Sequence, residues 1–311
     1  MNELFLERMK EMLMDEYPAY LKKLNDPARK GIRINTLKIT PDDFFAYTNF
    51  ELEKSPFAKN GYYANIKSGV GFTPEHMAGF FYIQEPSASS AVTILDPKPG
   101  MKVLDMCAAP GSKSTQISEM LEQEGLLVAN EIHPTRARVL LENIERCGSA
   151  NTIVLNNDPK DISKAFPEFF DMVLCDAPCS GEGMFRKEDQ AVEQWSLENV
   201  QACAVRQSCI LHDAYKCLKP GGTMVYSTCT FAMEENEMCI KKFMQEHPDM
   251  HLVPIEVDFG RKAFDLGSHT DYARRIFPMD GGEGHFIAKL HKDGELTEST
   301  KKIMQSQPLQ K

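Results

Sequence analysis

The chain has 311 residues, 42% of them hydrophobic and 26% charged. That is the make-up of an ordinary globular protein, and no apolar run is long enough to cross a bilayer. Nine irregularly spaced cysteines follow an N-terminus, MNELFLERMKEML, that mixes acids and bases and has no apolar core. This excludes a secreted disulfide scaffold and predicts reduced thiols in the cytoplasm. A net charge of −10 means that any nucleic-acid footprint has to be local.

Leu4, Phe5, Met9, Met12, Leu13, Tyr17, Tyr20 and Leu24 recur at spacings of three and four, which predicts an amphipathic helix over 4–24. Residues 21–38 then carry Lys22, Lys23, Arg29, Lys30, Arg33 and Lys38 against Asp26 alone, and they supply the candidate basic footprint. Arg186–Lys187, Arg261–Lys262 and Arg274–Arg275 are smaller clusters that read as solvated surface. GIRINTLKI is a predicted strand, and 41–70 is a loop-rich stretch with a short helix near 41–50. A boundary near residue 70 closes a small N-terminal α/β module of RNA-binding type. PEHMAGFFYIQEPSASSAVTIL predicts a helix, a short linker and a second helix from Pro86.

From residue 101 strands and helices alternate, as a parallel sheet requires. The predicted strands are KVLDM, LLVANE, TIVLNN, MVLCD and TMVYST, with helices at 113–123, 134–147, 161–166 and 196–218. A further helix follows Glu234 and ends near His247–Pro248. HLVPIEV and GHFIAKL close a seven-stranded, mostly parallel Rossmann-like sheet, with RRIFPMDGGEGHF as a hairpin connection. This second domain spans 71–292, and 293–311 is a polar tail.

Three strand exits carry the chemistry, because loops at the carboxyl ends of parallel strands converge on one crevice. The first, LDMCAAPGSKS, has small residues that let backbone amides approach a ligand at a helix start. It matches neither GxxxxGK[ST] nor GxGxxG. With Asp105 before it, Glu131 at the end of the next strand and Asp158 after the third, it implies a nucleoside without a phosphate chain, such as S-adenosylmethionine. Asn156 and Asn157 stand beside Asp158 as further adenine contacts.

The other two exits end in DAPCSG and STCT, each with a cysteine, Cys179 and Cys229. Carbon 5 of cytosine does not take a methyl group directly. A thiolate added to carbon 6 makes carbon 5 nucleophilic, and a second group must then remove the carbon-5 proton. Asp176, three residues before Cys179, is placed to steady the charge that develops on the ring. These residues do not rank one thiol over the other. Cys147, Cys175, Cys203, Cys209, Cys217 and Cys239 read as small buried hydrophobes, and Cys107 as loop packing. No paired CxxC is present, so no metal is expected.

VLDMCAAPGSKSTQI, FDMVLCDAPCSGEGMFRK and LKPGGTMVYSTCTFAMEENE resemble the RNA (cytosine-5)-methyltransferases of the Sun/nucleolar-protein (NOL/NOP/Sun) family, in its RsmF-like bacterial ribosomal RNA branch. The resemblance covers roughly 28–292. It implies a class I methyltransferase that acts on RNA, ribosomal (16S type) first and transfer RNA second. Cys229 is then the nucleophile, Cys179 assists product release, and Asp176 contacts the base. Cys107, Ala108, Ala109, Pro110, Gly111, Ser112, Lys113, Glu131, Asp158 and Asp176 line the S-adenosylmethionine pocket, and Lys113 serves either the cofactor or the base. Relatives of that branch continue into further RNA-binding regions, whereas this chain stops soon after the catalytic domain. Two rivals are a small-molecule methyltransferase, which needs only the cofactor loop, and a non-catalytic RNA-binding assembly factor.

Overall fold

The computed structural model describes residues 1–66, 69–296 and 300–302. Helices α1 (Glu3–Leu13) and α2 (Tyr17–Leu24) replace the single predicted helix. Met14, at a φ of 46°, breaks the run between them. Asn2 caps α1 by accepting the Leu4 and Phe5 amides.

A small antiparallel sheet follows, in the order β2-β3-β1-β4, built from β1 (Gly31–Ile34), β2 (Leu52–Lys54), β3 (Gly61–Ala64) and β4 (Phe81–Gln84). Helix α3 (Pro41–Tyr47) packs on one face, where Ile32, Ile34, Phe44, Val70 and Phe81 form a core. Two expectations change here. Residues 41–70 contain two strands as well as the helix. FFYIQ, read as part of a helix and linker after α4 (Pro74–Met77), is β4, so the small sheet runs past residue 70.

After α5 (Ser90–Leu95), the large sheet takes β5 (Lys102–Asp105), β6 (Leu126–Asn130), β7 (Thr152–Leu155), β8 (Phe170–Asp176) and β9 (Leu218–Thr228) in parallel, in the order β7-β6-β5-β8-β9. Helices α6 (Ser112–Met120), α7 (Pro134–Cys147), α8 (Pro159–Ala165), α9 (Asp189–Gln194) and α10 (Leu197–Cys217) connect them, and α11 (Glu237–Glu246) follows β9.

Val103, Leu174 and Val225 point into one core, Leu104, Val173 and Met224 into the other, so both faces of the sheet are covered. All seven predicted strands are present. Two short ones join them: β11 (Arg261–Lys262) and β12 (Arg274–Ile276), the latter inside the predicted hairpin connection. With β10 (Met250–Leu252) and β13 (His285–Lys292) they form an antiparallel extension, so the sheet is mixed and nine-stranded. Within HLVPIEV only the first residues extend, because Pro254 lacks the amide that a ladder needs. Among the described residues no helix is long and apolar enough to cross a membrane.

Candidate active site

The β8–β9 ladder places Asp176 opposite Ser227, and the Ala177 amide donates to the Ser227 carbonyl at 2.9 Å. Three residues beyond Asp176 and two beyond Ser227, the thiols of Cys179 and Cys229 meet, with Sγ atoms 3.1 Å apart. The Cys229 amide donates to Cys179 Sγ at 3.3 Å. Both cysteines are free and half-buried. The Cys179 thiol is pushed well up, first by its contact with Cys229 and then by burial.

Several bonds behind the thiols hold the two loops together. The hydroxyls of Ser180 and Thr230 lie 2.8 Å apart, and the Gly183 amide donates to the Cys229 carbonyl at 2.9 Å. A Cβ on Gly183 would stand 2.7 Å from the Gly284 oxygen, so only glycine permits this approach. Glu235, fully buried, accepts from the Ser180 amide (3.0 Å) and from Gln207 Nε2 (2.7 Å).

Asp176 is held from two sides, by Ser227 Oγ at 2.6 Å on Oδ1 and by Lys113 Nζ at 2.6 Å on Oδ2. Burial pulls Lys113 down, but the Asp176 carboxylate outweighs it and keeps the ammonium above its ordinary value. At the end of β5, burial pushes Asp105 up to about 7 against the hydrogen bond from Ser114. Its Oδ1 is buried at the foot of the cofactor loop with no hydrogen-bond partner among the described residues.

A cleft of about 690 Å³ opens over these strand ends, within the range of small-molecule sites. Cys107, Ala109, Glu131, Asp158, Asp176, Cys179 and Cys229 all line it, so the acids and both thiols share one cavity. Glu131 is 3% exposed and accepts the His133 amide at 2.9 Å. Asp158 caps α8 through the Lys160 amide. Burial pushes the Cys107 thiol up.

Ala108, Pro110, Gly111, Ser112 and Lys113 lie outside that lining and build the loop from behind. The Ala108 amide donates to the Asn130 carbonyl, Pro110 O accepts from Asn143, and Ser112 Oγ donates to Gln84 Oε1. Gly111 begins α6 at a φ of 111°. Asn156 and Asn157 also stand outside: Asn156 Nδ2 donates to the carbonyls of Glu131 and Ile132, which uses its amide on the backbone.

Sequence reasoning missed the α10 wall, where Arg206, Cys209, Ile210 and Asp213 face the cleft at helical spacing. Cys209 is exposed there and is not the buried hydrophobe expected, whereas Cys147, Cys175, Cys203, Cys217 and Cys239 are buried. Ser227, Gln207 and Glu235 were missed as well, and only the STCT and EENE strings hinted at two of them. Arg33 leaves the basic footprint: it is 2% exposed and bonded to Glu119. Among the described residues no cluster of three His, Cys, Asp or Glu could hold a metal.

Counted from β5, the parallel order is 3-2-1-4-5, with the antiparallel β13 beside the fifth strand and the ligand cleft at the strands' carboxyl ends. The fold and the site together are those of a class I, Rossmann-like methyltransferase. Residues 92–291 match the family described as 16S rRNA methyltransferase RsmB/F, and the chain belongs to that family. Residues 1–86 match the N-terminal domain of 16S rRNA methyltransferase RsmF.

Ribosomal RNA small subunit methyltransferase F of Vibrio cholerae is 40% identical over 93% of this chain and 63% of its own length. The Escherichia coli protein of that name is 37% identical over 93% and 62%. The chain thus spans under two thirds of the length of these relatives. A methyltransferase homolog from Pyrococcus horikoshii superposes with a TM-score of 0.83 at 31% identity, over 94% of this chain and 95% of that one.

Proposed function

We propose that the chain transfers a methyl group from S-adenosylmethionine to carbon 5 of a cytosine in RNA, ribosomal RNA before transfer RNA, through a covalent cysteine adduct. The observation that carries this reading is the 3.1 Å approach of two thiols beside Asp176 in the cofactor-sized cleft. A methyltransferase for small molecules has no use for a second thiol, and a non-catalytic assembly factor has none for either.

The residues fit the cofactor. Glu131 and Asp158 line the cleft and would accept from the ribose hydroxyls and the adenine amino group, and the cofactor would supply an electrophilic methyl group. The Cys229 thiolate would add to carbon 6 of the base, and the electron pair released to carbon 5 would bond the methyl group as its bond to the sulfonium sulfur breaks, with the neutral thioether as leaving group. Cys179 Sγ then removes the carbon-5 proton, the Cys229 S–C6 bond breaks, and the methylated base leaves. The Cys229 amide aimed at Cys179 Sγ favours the thiolate that this step requires, against the Cys229 contact and the burial that push the free thiol up. Asp176, fixed by Ser227 and Lys113, would accept from N–H groups at the ring-nitrogen edge, and the Lys113 ammonium beside it would offset the negative charge of the adduct. The small N-terminal sheet and its helices serve as the RNA-binding module of the same chain.

Labelled cofactor, unmodified 16S ribosomal RNA and the Cys229→Ala and Cys179→Ala variants provide the test. Loss of the nucleophile should cost more than about 10³-fold in rate. Cys179→Ala should instead accumulate a protein–RNA adduct, seen as a shifted band in a denaturing gel. Unchanged methylation by Cys229→Ala would reject the assignment.

A further inference from the structure

A second opening lies beside the thiols, between the N-terminal module and the catalytic domain. This groove of about 590 Å³ is lined by Arg29, Lys30, Arg186 and Lys187, with Glu85 the sole lining carboxylate among the described residues. On a chain of net charge −10, four cations against one acid is a local reversal of sign. We propose that this groove is the track for the phosphates of the single-stranded RNA that flanks the target nucleotide, with Lys30 and Lys187 as the phosphate contacts. The proposal rests on the RNA reading above and says where that RNA runs.

Two of the four cations are tied into the walls. Arg186 pairs with Glu283 at 3.1 Å and donates to the carbonyls of Asp26 and Pro27, so it locks the N-terminal strap against the loop after Cys179. Arg29 pairs with Glu53 at 2.6 Å and lies 3.3 Å over the Tyr63 ring, which holds its guanidinium flat. Lys30 and Lys187 are exposed, and neither pairs with a carboxylate among the described residues. They are the cations left for an outside anion.

The groove adjoins the chemistry on both sides. Gly183 donates to the Cys229 carbonyl, and Lys187 is four residues further on, at most about 14 Å of chain away. On the other wall, Gln84 accepts from Ser112, the neighbour of the Lys113 that binds Asp176. A base entering the cleft therefore leaves its adjoining phosphates within reach of the groove, as an extruded or loop nucleotide requires.

The test uses a fluorescein-labelled 12-nucleotide RNA with one central cytosine, and unmodified 16S ribosomal RNA. Binding is measured by anisotropy between 50 and 200 mM salt, and methyl transfer is followed in parallel. For single strands each neutralised phosphate contributes about 0.7 to the slope of log K against log salt. The double variant Lys30→Ala/Lys187→Ala should lower that slope by about 1.4 and raise KM for RNA, with kcat within about twofold and cofactor affinity unchanged. Lys242→Ala, on α11 outside the groove, should leave the slope as it is. An unaltered slope in the double variant, or a loss confined to kcat, overturns the proposal. Wild-type protein that binds RNA but methylates no cytosine would sink the reaction reading while the slope still decides the groove.

Discussion

Two carboxyls behind the site hold their protons more tightly than water would allow. Burial pushes Asp105 and Glu235 each up to about 7. In the unfolded chain such groups titrate near 4, so between pH 4.5 and 6.5 the native state keeps two protons that the unfolded state has lost. His285 works the other way: burial pulls it down to about 4, and the native state lacks a proton that the unfolded imidazole binds. The native state therefore holds one net proton more from these three groups. Their stabilisation is greatest at low pH and falls as pH rises towards 7, by about 1.4 kcal/mol per unit. Glu235→Gln removes one native proton and should flatten that dependence by about the same amount in urea midpoints taken from pH 5 to 6.5. A variant whose pH slope matched the wild type would show that Glu235 is already ionised in the native state. The same residue bonds the amide after Cys179, so the loss should extend to the release step.

At the scale of elements, a buried clasp between β1 and α6 helps to join the N-terminal module to the catalytic domain. Ile32 and Ile34 face their own sheet's core, and the alternation sends Arg33 out of the other face. There its Nε lies 3.2 Å from Glu119 Oε2, and its other nitrogens reach Gln84, the Ser112 carbonyl and Thr115 Oγ1. Glu119 Oε1 accepts from Thr36 and Asn60 in return. Arg33→Ala strands a buried carboxylate and should destabilise the fold by about 3–5 kcal/mol in urea unfolding. Arg33→Met with Glu119→Leu should recover much of that loss, and a double variant no better than the single one would count against an electrostatic origin.

This clasp also shows where the sequence stops being legible. Helix 134–147 was readable to the residue, because Pro134 opens it and Gly148 closes it at a φ of 75°. The parallel strands and the two thiol loops were readable from apolar runs ending in turn signals. Arg33 looked like its solvated neighbours, since a charge carries no local mark of the partner that will bury it. The FFYIQ strand was hidden because its ladder partner among the described residues, β1, lies some fifty residues upstream. The cleft face of α10 was hidden by its length, since a helix of 21 residues has several faces and only the assembled sheet selects one.

Across the whole molecule, the N-terminal helices brace the catalytic loops from outside. Phe5, Met9, Leu13 and Tyr20 pack with Phe185, Trp195, Val200, Phe231 and Phe277 in one cluster. Phe185 follows the Cys179 loop, and Phe231 lies two residues past Cys229. The Phe5 ring sits 4.8 Å from Phe185 and 5.8 Å from Trp195, both edge to face, and Tyr20 meets Phe231 at 6.0 Å. Trp195 in turn donates to Glu182 Oε1 at 2.9 Å, while Glu182 Oε2 accepts the Phe231 amide. The Glu182 carboxylate thus ties Trp195, against which the first helix packs, to both thiol loops. Phe5→Ala leaves a cavity under these rings and should cost about 3–5 kcal/mol. Trp195 is the only tryptophan in the chain, so its emission reports on this cluster alone. The expected outcome is a red-shifted emission, an earlier urea midpoint and a lower kcat with cofactor affinity retained, because the thiol loops loosen while the β5–α6 loop does not. A loss below about 1 kcal/mol with unshifted emission would mean that α1 rests on the catalytic domain without bracing it.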